Sequence, residues 1–306
     1  MAIPTSRTKE SAQINIIADK CNGCGLCVSV CKDFAYKLEN NKVTLSATPI
    51  FGCVGCGHCM AICPTQAIEI HGRELSPQDL FALPDRGKAA TYEQLIPLLR
   101  CRRSIREFQD RPVEDDLVAK ILDAATTAPM GLPPSDVNVL VLANQGQVRA
   151  FAQDFCEYLG SIKWLVSDWF MALIRPFWGK ENDELFRGFI KPAINVFTGY
   201  MREGINVVNY DAPLAMYFYG SPYTDPADPI VAATYAMVAA ESLGLGTCML
   251  GSIHPFIQSG IKARKFRESH GIKYASREGL FVIFGHPKVI YHKGIRRTFA
   301  SVVTQN

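Results

Sequence analysis

Cys21-Asn22-Gly23-Cys24-Gly25-Leu26-Cys27-Val28-Ser29-Val30-Cys31 is followed further along the chain by Cys53-Val54-Gly55-Cys56-Gly57-His58-Cys59-Met60-Ala61-Ile62-Cys63, one cysteine spacing written twice. Two residues between successive thiolates let a tight loop wrap three ligands around one corner of an iron–sulfur cube. Gly23, Gly25, Gly55 and Gly57 stand where the backbone must approach the sulfurs closely. In the two-cluster arrangement the fourth cysteine, three residues on, reaches the other cube. Cys63 is therefore expected to complete the cluster of Cys21, Cys24 and Cys27, and Cys31 that of Cys53, Cys56 and Cys59, giving two [4Fe–4S] clusters. Zinc is the competing reading, but it takes four ligands in two separated pairs. A continuous run of four, given twice, fits that poorly, and His58 inside the second run reads as solvent-facing.

The rest of the composition bounds the function. With 306 residues, 48% hydrophobic and 20% charged, the chain is long enough for two globular cores. Its formal charge is only +3, from 32 basic and 29 acidic residues, and it has no long lysine or arginine run, which argues against a nucleic-acid partner. Eleven cysteines suggest a secreted disulfide framework, but a chain of this size needs no staples, and MAIPTSRTKESAQ lacks the charged start and apolar stretch of an export signal. The expectation is a cytoplasmic protein whose cysteines bind metal.

Residues 14–72 resemble a bacterial two-cluster ferredoxin, a small α+β domain with pseudo-twofold repeats. Ile16-Ile17 and Ala67-Ile68-Glu69-Ile70 match its short paired strands. Pro64 follows Cys63 as in that family, whereas Lys32 follows Cys31 where the family has proline. Residues 1–80 are assigned to this domain and 81–94 to a linker rich in punctuating residues, including Leu83-Pro84-Asp85 and Arg86-Gly87.

Residues 95–306 read as helices alternating with buried strands, hence a sheet covered on both faces. Glu114 to Thr127 places Leu117, Ile121, Leu122 and Ala125 on one helical face behind three acids that favour a helix start. Pro229 to Leu243 reads as a second helix, closed by Gly244. Val137–Leu142, Leu214–Tyr219 and Leu280–Phe284 read as buried central strands.

Arg102, Arg103, Ser104 and Arg106 can present charge-assisted donors to a phosphate and a hydroxyl-bearing tail, although an arginine cluster by itself is more often a solvated face or an ion-pair network. Ala128-Pro129-Met130-Gly131-Leu132-Pro133-Pro134-Ser135 follows the first helix, Leu245 to Ser252 follows the second, and Arg296-Arg297 lies near the end. That order is similar to the nitroreductase family of FMN enzymes, across residues 95–306. The resemblance implies an α-β-α sandwich with a mixed sheet and a homodimer with FMN at the subunit interface. It places Arg102, Ser104 and Arg106, with Arg103 beside them, on the FMN phosphate and ribityl tail, to which Arg296 or Arg297 returns. Pro129, Met130 and Gly131 would line the isoalloxazine ring, and Leu250, Gly251 and Ser252 its edge. Ser135-Asp136-Val137 stands where many members have Gln-Pro-Trp, leaving Ser135 as the replacement donor.

The aromatic-rich stretch from Phe151 to Tyr210 matches no motif. Its expected role is helical packing at a dimer interface, ahead of a substrate lid. Between Trp164 and Trp178 it is too short for a membrane span and carries Asp168 and Arg175. Cys101, Cys156 and Cys248 are expected to be buried thiols and His254 a structural histidine.

No Gly-x-Gly-x-x-Gly follows a strand, so no dinucleotide-binding domain is read. The leading expectation is an FMN-dependent oxidoreductase that takes low-potential electrons, from a donor such as ferredoxin or flavodoxin, through its own clusters. It would pass them to a nitroaromatic, quinone-like or other conjugated acceptor. The alternative is an electron-transfer or redox-sensing module serving a protein partner.

Overall fold

The structure is a computed structural model, described here for residues 3–305. In the first repeat, β1 (Gln13–Ile16) leads into the first cysteine loop and helix α1 (Leu26–Val30), then the hairpin of β2 (Tyr36–Glu39) and β3 (Lys42–Leu45). The second loop leads into α2 (His58–Ile62) and β4 (Ile68–His71), which pairs antiparallel with β1 in the register Ile14 to Ile70 and Ile16 to Ile68. The repeat seen in sequence is also a repeat in space. Gly23, Gly25, Gly55 and Gly57 all have φ of 71–72°, a left-handed conformation that glycine adopts without steric cost. At Gly23 the requirement is absolute, because a Cβ there would lie 2.1 Å from the Asn41 carbonyl oxygen. Ile68, Ile70, Met60, Tyr36 and Val43 fill a small core between the two loops.

Helix α3 (Tyr92–Cys101) starts at a capping box made by Thr91 and Gln94, inside the segment expected to be linker. Next come α4 (Asp115–Thr126), the edge strand β5 (Val137–Leu142), α5 (Gln145–Ile162), α6 (Asp168–Leu185, broken at Gly179) and α7 (Lys191–Arg202). Strand β6 (Leu214–Gly220), α8 (Ala227–Ser242), β7 (Gly246–Leu250), α9 (Ile253–Phe256), α10 (Ile261–Ser269) and β8 (Gly279–Gly285) complete the domain.

The four strands order as β5-β6-β8-β7, so β6 and β8 are central and buried throughout. Their side chains alternate between two cores. Tyr217, Tyr219, Phe281 and Ile283 meet Phe151, Phe155 and Leu159 of α5 on one face. Leu214, Met216, Phe218, Leu280, Val282 and Phe284 meet Ile121 of α4 and Ala232, Ala233, Ala236 and Ala240 of α8 on the other. The alanines of α8 let it lie close on the sheet, and each large apolar side chain buried here contributes about 1.5–3 kcal/mol. This is the α-β-α sandwich.

Two details differ from the sequence-based expectation. The sheet is mixed only in a minimal sense: its ladders are antiparallel, and among the described residues parallel pairing is confined to the isolated bridge from Ser104 to Thr247 of β7. Parallel neighbours need a long crossover, and here a short segment simply runs along the β7 edge. Val137–Leu142 is not central: β5 is an edge strand and mostly half-buried, because an apolar run fits an edge covered on both faces as well as a centre.

The Phe151–Tyr210 stretch is largely helical as far as Arg202, and its aromatics divide between core and surface. Phe151 and Phe155 are buried, while Trp164, Trp169 and Phe177 are exposed, Phe177 to 88%. No described helix is long and apolar enough to cross a membrane.

Candidate functional site

The eight cysteines of the two runs are free thiols whose burial repeats position by position. Cys24 and Cys56 are exposed, Cys27 and Cys59 buried, and Cys21, Cys31, Cys53 and Cys63 intermediate. A cavity of about 190 Å³ is lined by Cys31, Cys53, Cys56 and Cys59 together with Tyr36 and Val54. Burial pushes the Cys53 thiol up to about 11, and the charges of Cys59, Cys56 and Cys31 push the same way. Cys27 is likewise raised, first by burial and then by Cys63 and Cys24. Cys63 goes the other way, since hydrogen bonds from the Ala67 N–H and from Thr65 outweigh its burial and favour the thiolate. Buried thiolates that repel one another are unfavourable alone, and iron relieves both penalties. Among the described residues no three His, Cys, Asp or Glu side chains converge as a single ion requires. A cube instead spreads its thiolates over separate irons, and this donor set fits that group.

The Tyr36 hydroxyl donates to Cys59 Sγ at 3.1 Å in the core beside this cavity. Hydrogen bonds to ligand sulfurs stabilise the reduced cluster and raise its potential. Tyr36→Phe is therefore expected to lower the potential of one cluster and leave the other in place, read by spectroscopic redox titration. Equal movement of both potentials, or of neither, would contradict this assignment.

The arginines expected to hold phosphate are only partly brought together. Arg102, Arg103, Arg296 and Arg297 line one open cavity of about 600 Å³ with Gly294, Ile295, Leu99 and Arg100. Arg100 was outside the sequence reading, although the run Arg100-Cys101-Arg102-Arg103 was its signal. Arg102 caps the C-terminus of α3, its N–H closing onto the Leu98 carbonyl, and this sets Arg100, Arg102 and Arg103 at the helix end. Glu241 of α8 is the acid near them. Burial raises its pKa, and Arg102 and Arg103 lower it. Guanidinium donors in excess over carboxylate suit a phosphate dianion.

Arg106 is not in this cavity. The chain leaves α3 and bridges β7, with the Ile105 N–H donating to the Thr247 carbonyl at 2.9 Å. Arg106 is thereby carried to the Tyr210 ring, 5.7 Å from its centroid. Ser104 sits at the bridge itself. Cys101 is exposed, not buried as expected, because it ends the surface helix α3; Cys156 and Cys248 are buried.

Pro129, Met130 and Ser135 line a different cavity of about 390 Å³ between α4, α8 and β5, with Arg7, Val137, Phe218 and Asp228. Gly131 lies beside it, its N–H donating to both carboxylate oxygens of Asp228 at 3.0 and 3.2 Å. Asp228, which the sequence reading missed, thus fixes the loop, and burial raises its pKa. The Ser135 hydroxyl accepts from the Val137 N–H at 3.3 Å, a local turn contact. Leu250, Gly251 and Ser252 lie at the end of β7 and line neither the arginine cavity nor this one. His254 is buried, 2.8 Å from the Tyr217 hydroxyl and 3.3 Å from the Arg277 carbonyl, and burial lowers its pKa. It is a structural histidine.

The two halves of the chain are hydrogen-bonded directly. The Ser6 N–H and hydroxyl donate to Asp136 at 2.8 and 2.6 Å, and Ser221 donates to the same carboxylate at 2.7 Å. Burial raises the Asp136 pKa, but these bonds outweigh it and the net shift is downward. Arg7 donates to the Ser135 carbonyl at 3.0 Å. Arg73 donates to the Val54 carbonyl in the second cysteine loop at 2.9 Å and to the Pro133 carbonyl in the proline loop at 2.7 Å.

The chain thus joins a thiol-lined domain to an α-β-α sandwich that carries an arginine-lined cavity. Residues 99–286 match the nitroreductase family and residues 13–68 a 4Fe-4S dicluster domain, and the chain belongs to the nitroreductase family. Similar solved structures include a nitroreductase with bound FMN from Desulfitobacterium hafniense DCB-2, at 20% identity over 69% of this chain and 98% of that one, TM-score 0.49. A nitroreductase with bound FMN from Bacteroides fragilis NCTC 9343 shares 16% identity over 69% and 99%, TM-score 0.49. An FMN-dependent nitroreductase from Clostridium difficile R20291 shares 19% identity over 69% and 99%, TM-score 0.44. Among curated proteins none matches the chain.

Proposed function

We propose that this nitroreductase-family oxidoreductase binds FMN and two [4Fe–4S] clusters, takes low-potential electrons through the clusters, and reduces a small conjugated acceptor such as a nitroaromatic or quinone. The observation that carries this reading is the pair of Arg73 hydrogen bonds joining the second cysteine loop to the proline loop. Bound flavin supplies the conversion from one-electron to two-electron transfer.

The residues divide the work. Arg100, Arg102, Arg103, Arg296 and Arg297 supply donors for the phosphate. Asp228 holds the Gly131 backbone so that Pro129, Met130 and Gly131 present a fixed wall to the ring. Leu250, Gly251 and Ser252 belong to the ring edge on this reading, Ser104 to the phosphate and ribityl tail, and Ser135 to a polar contact at the ring. A homodimer accords with the exposed Trp164, Trp169 and Phe177, and a reducing cytoplasmic setting with free thiols throughout.

The test uses the full chain, purified anaerobically and assayed for iron, sulfide and flavin. Reduced ferredoxin, flavodoxin or a chemical low-potential donor is expected to bleach both chromophores and sustain reduction of a nitroaromatic or quinone, with NAD(P)H a poor substitute. Chelation of the iron is expected to abolish turnover with the low-potential donor. Undiminished turnover after chelation would remove the clusters from the route. Bleaching without turnover on any small acceptor would favour electron transfer to a protein partner.

A further inference from the structure

Arg73 follows β4 in a left-handed conformation (φ 54°) and is 5% exposed. Its neighbour Glu74 is taken by Arg7. Among the described residues, every hydrogen-bond partner of Arg73 is a carbonyl oxygen. Nη1 donates to Ile3 at 3.0 Å and Glu10 at 2.9 Å, Nε to Val54 at 2.9 Å and Pro133 at 3.3 Å, and Nη2 to Pro133 at 2.7 Å. A buried guanidinium held only by neutral oxygens is expensive unless a negative group lies close. The cysteine loop lies against it: Val54 follows Cys53, and a Cβ on Gly55 would lie 3.1 Å from the Arg73 Cβ. The attractive charge acting on Arg73 is that of Cys53.

We infer that Arg73 is a positioning residue that couples the cluster of Cys31, Cys53, Cys56 and Cys59 to the flavin. Its planar fork holds the cluster loop against the proline loop, and its buried charge favours the reduced cluster. That cluster, and not the one of Cys21, Cys24, Cys27 and Cys63, is then the last station before the flavin. The inference rests on the proposed route. In it one electron leaves the reduced cluster, which is oxidised by one unit. Two such electrons, with two protons from water, would reduce bound flavin, and the external donor, itself oxidised by one electron each time, would restore the cluster.

Two variants of the full chain separate charge from geometry. Arg73→Gln removes the cation, and redox titration is expected to show one cluster potential lowered and the other unchanged. Arg73→Lys keeps the charge, but a single ammonium cannot span the Val54 and Pro133 carbonyls as the fork does. Its potentials are expected to stay near wild type, while cluster-to-flavin transfer in stopped flow slows by about tenfold or more, the scale on which small misplacements of reacting partners act. Unchanged potentials in a fully loaded Arg73→Gln protein overturn the electrostatic role, and a wild-type transfer rate in Arg73→Lys overturns the positioning role. If Arg73→Gln fails to hold its clusters, the Arg73→Lys rate alone decides. Wild-type protein showing no transfer from clusters to flavin would overturn the route itself, an outcome distinct from transfer that is present but indifferent to Arg73.

Discussion

Cys31→Ala is expected to damage the cluster held by Cys53, Cys56 and Cys59, leaving intact the one whose loop it follows in sequence. Cys31 lines the same cavity as Cys53, Cys56 and Cys59, whereas the thiolates acting on Cys27 are Cys63 and Cys24. Iron should fall from about eight toward about four atoms per chain, the content of one cube. Assignment needs no absolute reference if Cys24→Ala and Cys56→Ala are made beside it, since each stands in the middle of its own loop. The electron paramagnetic resonance spectrum of reduced Cys31→Ala should then coincide with that of Cys56→Ala. Coincidence with Cys24→Ala would reject the crossed ligation.

Arg102→Ala is expected to release flavin. Arg102 caps the C-terminus of α3 inside the arginine cavity, and a hydrogen bond to a charged partner is worth roughly 1.5–3 kcal/mol, so the dissociation constant should rise by roughly 10- to 150-fold. Arg106→Ala is the informative companion. Its guanidinium lies over Tyr210 and outside that cavity, so its removal should leave flavin retention close to wild type. Fluorescence of released flavin after gel filtration reads both. Equal losses in the two variants would return Arg106 to the phosphate site, and no loss in Arg102→Ala would place the phosphate elsewhere.

These two experiments bear on features that were legible in the sequence to different degrees. The cysteine loops were readable because their geometry is local: ligand spacing and glycines with positive φ act within a dozen residues. The helix over Asp115–Thr126 was readable from its apolar periodicity, and the strand at Leu214–Tyr219 from a short continuous apolar and aromatic run bounded by turn residues. The arginine set was half readable. Arg102 and Arg103 share one cavity with Arg296 and Arg297, while the turn out of α3 and the bridge to β7 carry Arg106 to Tyr210 and leave Arg100 among the cavity's lining.

By itself, then, the sequence determined the doubled thiol loop, the helices with clear apolar faces and the three apolar strand segments, because each leaves its signal in the spacing or composition of a short stretch of chain. Only the tertiary structure decided that Val137–Leu142 is an edge strand, that Asp228 pins Gly131, that Ser6 closes on Asp136 and that Arg73 reaches Pro133. Each of those pairings joins positions far apart in sequence, and no periodicity or spacing encodes which acceptor a buried donor will meet. The partner is set by how the two cores close against each other, and a buried polar group must then bond to whatever that closure brings within reach.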